Sequence, residues 1–257
     1  MPPIARHDQI LALLARSGES SVDALASQLG VSRETVRRDL AHMDAGGRLR
    51  RFHGGARPIA GPPALMEKEW PFAQRMAQNA EAKRRIAAAA SRLFQAEDSL
   101  FIDTGSTTVA FAEALVAVPS LVTITNSPRI AATLASNSSH KVFLIGGAYG
   151  PDAGESLGPL ALEQIGKFRA RHAVLTIGAI DPTCVMDFDL QEAEIAKAMI
   201  ERADRVTVLA DASKLDRRAV FEVAALGRIH TLVTDTAPCD SMVKTIAAAG
   251  IELIVAG

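Results

Sequence analysis

Apolar positions recur at helical spacing from the start of the chain. Ile10, Leu11, Leu13 and Leu14 predict a helix over about 4–16, ended by Ser17-Gly18. Val22, Leu25, Ala26 and Leu29 predict a second, with Ser21 placed to cap it and Gly30 to stop it. Val31, Val36, Leu40 and Met43 give a third helix one narrow apolar face. Ser32 stands where its N-cap belongs, and Glu34 lies in the first turn, where the helix dipole favours an acid. After Ala45-Gly46-Gly47 the pattern becomes extended. Arg48-Leu49-Arg50-Arg51-Phe52 alternates, His53-Gly54-Gly55 can turn, and Ala56-Arg57-Pro58-Ile59 can return as a hairpin. Three short helices, a glycine-containing turn before the third and a following hairpin predict a winged helix-turn-helix.

Pro58-Ile59-Ala60-Gly61-Pro62-Pro63 reads as a semi-extended linker. A helical pattern starts near Glu67, with Ile86, Ala89, Ala90, Leu93 and Phe94 inward; Trp70, Phe72 and Met76 read as core packing, and Lys83-Arg84-Arg85 as a solvated basic face. Beyond residue 98, β-rich runs at 99–102, 121–124, 141–145, 173–177, 205–209, 231–233 and 251–255 alternate with amphipathic helices. Such βα alternation implies an α/β domain whose mainly parallel sheet is covered on both faces, with ligands bound beyond the C-terminal strand ends. The predicted domains are 1–57, a linker over 58–76, and 77–257.

Composition is consistent with this division. A chain of 257 residues, 48% of them hydrophobic, can fill two cores. No apolar run approaches the roughly 18 residues of a membrane helix, and no charged-then-apolar leader is visible, so a cytoplasmic protein away from the membrane is expected. Cys184 and Cys239 are far apart and lack ligand spacing, which argues against a disulfide framework or zinc site. Net charge is −1 overall, but residues 1–57 hold nine Arg, no Lys and six acids for +3, leaving −4 on the remainder. A basic head on an acidic body suits a protein that grips a polyanion at one end. On the third helix Arg33, Arg37 and Arg38 point away from the core, and Ser32 and Thr35 flank them. A DNA major groove accepts such a helix, while the wing's Arg50, Arg51 and His53 can follow the phosphate backbone.

The body carries its chemistry at strand ends. Asp103-Thr104-Gly105-Ser106-Thr107-Thr108 follows one strand and opens a helix, so its glycine, free N–H groups and hydroxyls can surround a phosphate. It is neither a Walker loop nor a GxGxxG loop. Thr125-Asn126-Ser127, Gly146-Gly147 and Ala210-Asp211-Ala212-Ser213-Lys214 follow other strands; Lys214 offers a point charge and Asp211 an acceptor for sugar hydroxyls. Glu194, Lys197 and Glu201 can be salt-bridge partners on an exposed helix face. Asp187-Phe188-Asp189 has the look of metal ligands, but an acid-rich helix N-terminus is the simpler account, and no metal or cofactor is predicted.

The run from Arg6 to Ala56, with VSRETVRRDL and RRFHGGA, resembles the winged helix of DeoR-type bacterial transcriptional regulators. KRRIA, FIDTGSTT, ITNS, LIGG, EAxxxK at Glu192–Lys197 and LADASK are similar to the sensor domain of the same family, so the resemblance covers about residues 6–256. It implies a sensor resembling the sugar-phosphate isomerase and CoA-transferase fold and binding a phosphorylated sugar or related metabolite. It further implies phosphate contacts from Gly105, Ser106, Thr107 and Thr108, completed by Asn126, Gly147, Asp211 and Lys214, with Lys83 and Lys197 as further members. MDFDLQEAEIAKAMI is most similar to the glycerol-3-phosphate regulator branch, which points to glycerol 3-phosphate as one effector.

The expected function is a repressor of a sugar or polyol catabolic operon, with double-stranded operator DNA and a phosphorylated sugar or polyol as partners, acting as a homodimer or homotetramer. Two rivals differ in class. A sugar-phosphate isomerase with an appended head would need a base such as Asp103, Asp187, Glu192 or Asp211, yet no recognisable catalytic set is visible. A non-specific nucleic-acid protein would bind random and promoter DNA alike.

Overall fold

In a computed structural model of the chain, residues 3–17, 19–45, 49–52, 54–58 and 69–257 are described. The chain forms two units, 1–64 and 65–257. The first holds α1 (Pro3–Ser17), the short β1 (Ser20–Ser21), α2 (Val22–Leu29), α3 (Arg33–Ala45), β2 (Leu49–Phe52) and β3 (Gly55–Pro58). Gly30 ends α2 in the left-handed conformation (φ 63°), which a side chain rarely tolerates, and Ser32 Oγ caps α3 by accepting Thr35 N–H at 3.1 Å. Ile10, Leu14, Leu25, Val36, Leu40, Met43 and Leu49 form the core of this unit. The wing has a third strand that alternation did not reveal, because β1 is only two residues long: it pairs antiparallel with β3, which pairs with β2. His53 lies outside the described residues, as do the linker residues 59–68.

The second unit opens with α4 (Phe72–Ala77) and α5 (Ala80–Ser91). The sequence pattern predicts a linker and one helical run here. Asn79, in the left-handed region (φ 52°), breaks them apart, and Phe72 is buried in the core of this unit. Then follow β4 (Ser99–Ile102), α6 (Ser106–Leu115), β5 (Val122–Thr125), α7 (Pro128–Ala135), β6 (Lys141–Leu144), β7 (Ala148–Gly150), β8 (Glu155–Leu157) and α8 (Pro159–Ile165). The chain continues through β9 (Ala170–Leu175), β10 (Ala179–Ile180), β11 (Cys184–Asp187), α9 (Leu190–Glu201), β12 (Ala203–Leu209), β13 (Phe221–Ala225), β14 (Thr231–Thr234), α10 (Asp240–Ala248) and β15 (Glu252–Val255).

Seven strands form one parallel sheet in the order β15-β14-β12-β9-β4-β5-β6. Alternation divides its side chains between two cores. Leu100, Ile102, Val174 and Leu209 pack under α5, α6 and α7, while Phe101, Ala173, Leu175 and Val208 pack under α8, α9 and α10. The chain begins the sheet at β4, builds outward through β5 and β6, then returns to the other side of β4 with β9. That reversal opens a crevice at the C-terminal ends of β4, β9 and β12. Two small antiparallel sheets, β10-β11-β13 and β7-β8, lie outside the main sheet. Among the described residues no helix is long and apolar enough to cross a membrane.

Candidate functional site

In the first unit, α3 turns Val36, Leu40 and Met43 inward and leaves Ser32, Arg33, Arg37 and Arg38 exposed, with Thr35 half-buried. Thr35 Oγ1 lies 2.8 Å from Ser32 Oγ, so both serve the cap. Arg33 Nε sits 2.8 Å from Asp23 and Arg37 3.9 Å from Glu34, both pairs well exposed. Arg37 also lines a groove of about 310 Å³ with Arg51, Phe52 and Gly54 of the wing, and Arg50 and Arg51 are exposed. One member of the RRDL motif turns the other way. Asp39 is buried, held by Arg6 Nη2 at 2.9 Å and within 3.1 Å of His7 Nε2. The Arg6 hydrogen bonds keep its carboxyl below the usual range. The pattern of charges along α3 gave no hint of this, because the partners lie on α1.

In the second unit the crevice holds a cavity of about 330 Å³. Ser106 and Thr107 open α6 there. The helix has no side-chain cap, so its first-turn N–H groups are left for a ligand. Gly105 is extended, a conformation open to any residue, but a Cβ there would fall 2.1 Å from Thr176 Oγ1. The glycine is required by close approach to the end of β9. From β12 come Asp211 and Lys214. Asp211 caps its own turn by accepting Ser213 N–H at 2.9 Å and also accepts from Asn79 Nδ2 at 3.2 Å, while Asp235 accepts Ala212 N–H at 2.7 Å.

Three predicted effector residues, Asp103, Thr108 and Asn126, stand behind the lining. Asp103 spans Thr176 N–H with both oxygens (3.1 and 2.9 Å), and burial raises its pKa against those hydrogen bonds. Thr108 donates to Gly105 O at 3.1 Å, and Asn126 is fully buried between Thr104, Glu155 and the Ser156 carbonyl. Gly147 packs against β8, where a Cβ would lie 2.6 Å from Leu157 O, and is not brought to the cavity. Lys197 is not brought there either: half-exposed, it pairs with Glu194 at 3.0 Å on the outer face of α9.

For other lining residues the hydrophobic pattern alone points elsewhere. Lys83, a solvated position by its pattern but an effector-site member by the family resemblance, lines the cavity and is 6% exposed. Its ammonium donates to Gln78 O at 2.9 Å and to Arg75 O, which became available where α4 and α5 part. Desolvation lowers its pKa, partly opposed by Asp211. Trp70, read as core, is 58% exposed and lines the cavity with Glu69, Arg75 and Arg217. Asp187 and Glu192 supply acid on the far wall, while Asp189 is spent capping α9 at Gln191 and Glu192 N–H. Burial, then repulsion by Asp187 and Glu155, pushes Glu192 up to about 9; burial raises Asp187 to about 6 and Glu155 to about 7. At neutral pH Glu192 is therefore a carboxylic acid that can donate a hydrogen bond. A cationic rim, an open helix terminus and an uncharged acid suit a small ligand with an anionic end and a hydroxylated end.

Residues 6–60 match the DeoR-like helix-turn-helix domain, and residues 78–236 the DeoR C terminal sensor domain. The chain is 33% identical over 251 residues to the HTH-type transcriptional repressor CsqR of Escherichia coli K12, covering 97% of this chain and 94% of that protein. It is 30% identical over 254 residues to the Glycerol-3-phosphate regulon repressor of the same organism, covering 98% and 99%. Among solved structures, ribose 5-phosphate isomerase A from Methanocaldococcus jannaschii matches at TM-score 0.39 and 16% identity, covering 54% of this chain and 55% of that one. With both domain types matched in order and relatives aligned end to end, the chain belongs to the DeoR family of DNA-binding transcriptional regulators.

Proposed function

We propose that this regulator is a repressor of a sugar or polyol catabolic operon, released or engaged by a phosphorylated sugar or polyol bound in the crevice. The observation that carries this reading is the uncapped N-terminus of α6 facing the same cavity as Lys83, Arg75 and Lys214. Backbone N–H groups and cations converging on one volume fit a phosphate, and Asp187, Glu192 and Asp211 fit hydroxyls. A volume of about 330 Å³ suits a ligand of a few carbons. Glycerol 3-phosphate belongs in any screen because one relative is named for its regulon. In this reading the carboxyls bind and do not catalyse, and no cofactor is involved. Arg33, Arg37, Arg38, Arg50 and Arg51 grip operator DNA in the cytoplasm, and two heads of a homodimer or homotetramer read two half-sites.

A thermal-shift screen of the full chain tests this, with inorganic phosphate, glycerol 3-phosphate and pentose and hexose phosphates as probes. A true ligand at about a hundredfold its Kd raises Tm by about 5 °C or more. A screen in which no phosphorylated compound moves Tm would sink the proposal.

A further inference from the structure

Glu69 is the first described residue of the second unit, and its carboxylate lies between two cations of the cavity. One oxygen is 2.6 Å from Arg75 Nη1, and the other accepts a hydrogen bond from Lys214 Nζ. All three side chains are sheltered, at 15%, 14% and 22% exposure. Asp152 lies 3.5 Å from Arg75 Nη2, yet the buried Nε of Arg75 has no hydrogen-bond partner among the described residues. The guanidinium thus keeps an unused donor even with two carboxylates beside it. A carboxylate brings one negative charge and two oxygens; a phosphate monoester brings nearly two charges and three terminal oxygens. The arrangement therefore favours phosphate over carboxylate wherever both compete for these donors.

We propose that Glu69 is an internal competitor for the effector's phosphate, occupying the seat between Arg75 and Lys214 until a phosphorylated ligand displaces it. The inference rests on the reading of the cavity as a phosphate site. It adds a reason why occupancy is communicated: ligand and the seated Glu69 exclude each other, so the ligand shifts the chain to the state with Glu69 released. Glu69 lies at the end of the sensor unit that continues, through residues 59–68, into the DNA-binding unit. Displacement thus acts on the covalent path between the two functions.

Trp70, the only tryptophan, follows Glu69 directly and lines the same cavity, so its emission reports on this segment. The full chain is titrated with inorganic phosphate and with glycerol 3-phosphate, by calorimetry for affinity and by Trp70 fluorescence for displacement, in the parent, Glu69→Gln and Lys214→Gln. Glu69→Gln should bind phosphate about tenfold more tightly, the effect of removing about 1.4 kcal/mol of competition. Its unliganded emission should match that of the phosphate-saturated parent. Equal or weaker binding by Glu69→Gln overturns the competitor role, as does a parent emission unmoved at saturation. Loss of phosphate binding in Lys214→Gln keeps the cavity reading standing in either event; binding as tight as the parent's overturns the cavity reading itself.

Discussion

Arg37 and Arg38 project from α3 into solvent, and the Arg37–Glu34 pair at 3.9 Å is too exposed to hold Arg37 from another partner. Replacing either by Ala should weaken operator binding by about 1–3 kcal/mol if the lost contact is a bidentate base contact. Fluorescence anisotropy with labelled operator measures this, and parental affinity in both variants would remove α3 from the groove. Residues of this kind are readable in sequence because their role depends on their own helix: Ser32 announces a cap, and three arginines opposite an apolar stripe announce a charged face. Lys83 was legible only through the family resemblance, not from the pattern of its own helix. Its environment is made by carbonyls of Arg75 and Gln78, exposed by the break at Asn79, and nothing in an Ala- and Arg-rich run signals that break. Glu69 and Arg75 escaped for a related reason, since their meaning depends on Lys214, which lies 145 residues beyond Glu69 in the chain.

All seven strands of the parallel sheet were legible because their apolar runs, most of them buried on both faces, are bounded by turns. β7, β8, β10, β11 and β13 were not: they belong to the two small antiparallel sheets, outside the βα alternation that marks the main strands. Long-range ties between elements were equally silent. Asp39 fastens α3 to Arg6 and His7 of α1, and both Arg6 and Asp39 are about nine-tenths buried. Asp39→Asn should destabilise the first unit by about 3 kcal/mol, the cost of removing one charge from a buried ion pair. In urea unfolding of the full chain, far-UV circular dichroism should show an earlier transition for the helical head, while Trp70 emission reports an unmoved second unit. An unshifted dichroism curve would show that this pair does not hold the head together.

For the molecule as a whole, the acids gathered in and behind the cavity wall make stability depend on pH in an unusual direction. Glu192, Glu155, Asp187 and Asp103 all hold their protons more tightly folded than unfolded. Such groups favour the fold most below the ordinary carboxylate range, and that advantage is lost as pH rises through their folded values, about 9 for Glu192. Glu192→Gln imitates the neutral acid. It should flatten the decline of stability between about pH 5 and pH 9 by up to about 1.4 kcal/mol per pH unit, read from denaturation midpoints. Identical slopes in the two proteins would show that Glu192 does not titrate there. The order of the strands in the sheet has a further consequence, in time. The crevice needs the ends of β4, β9 and β12 together, so its last lining residue, Arg217, leaves the ribosome roughly 160 residues after the DNA-binding unit is complete. At bacterial-scale synthesis rates this is a lag of roughly 8–30 s. Every newly made copy therefore completes its DNA-binding unit before its sensor, and passes through a brief youth in which the head is made and the crevice is not.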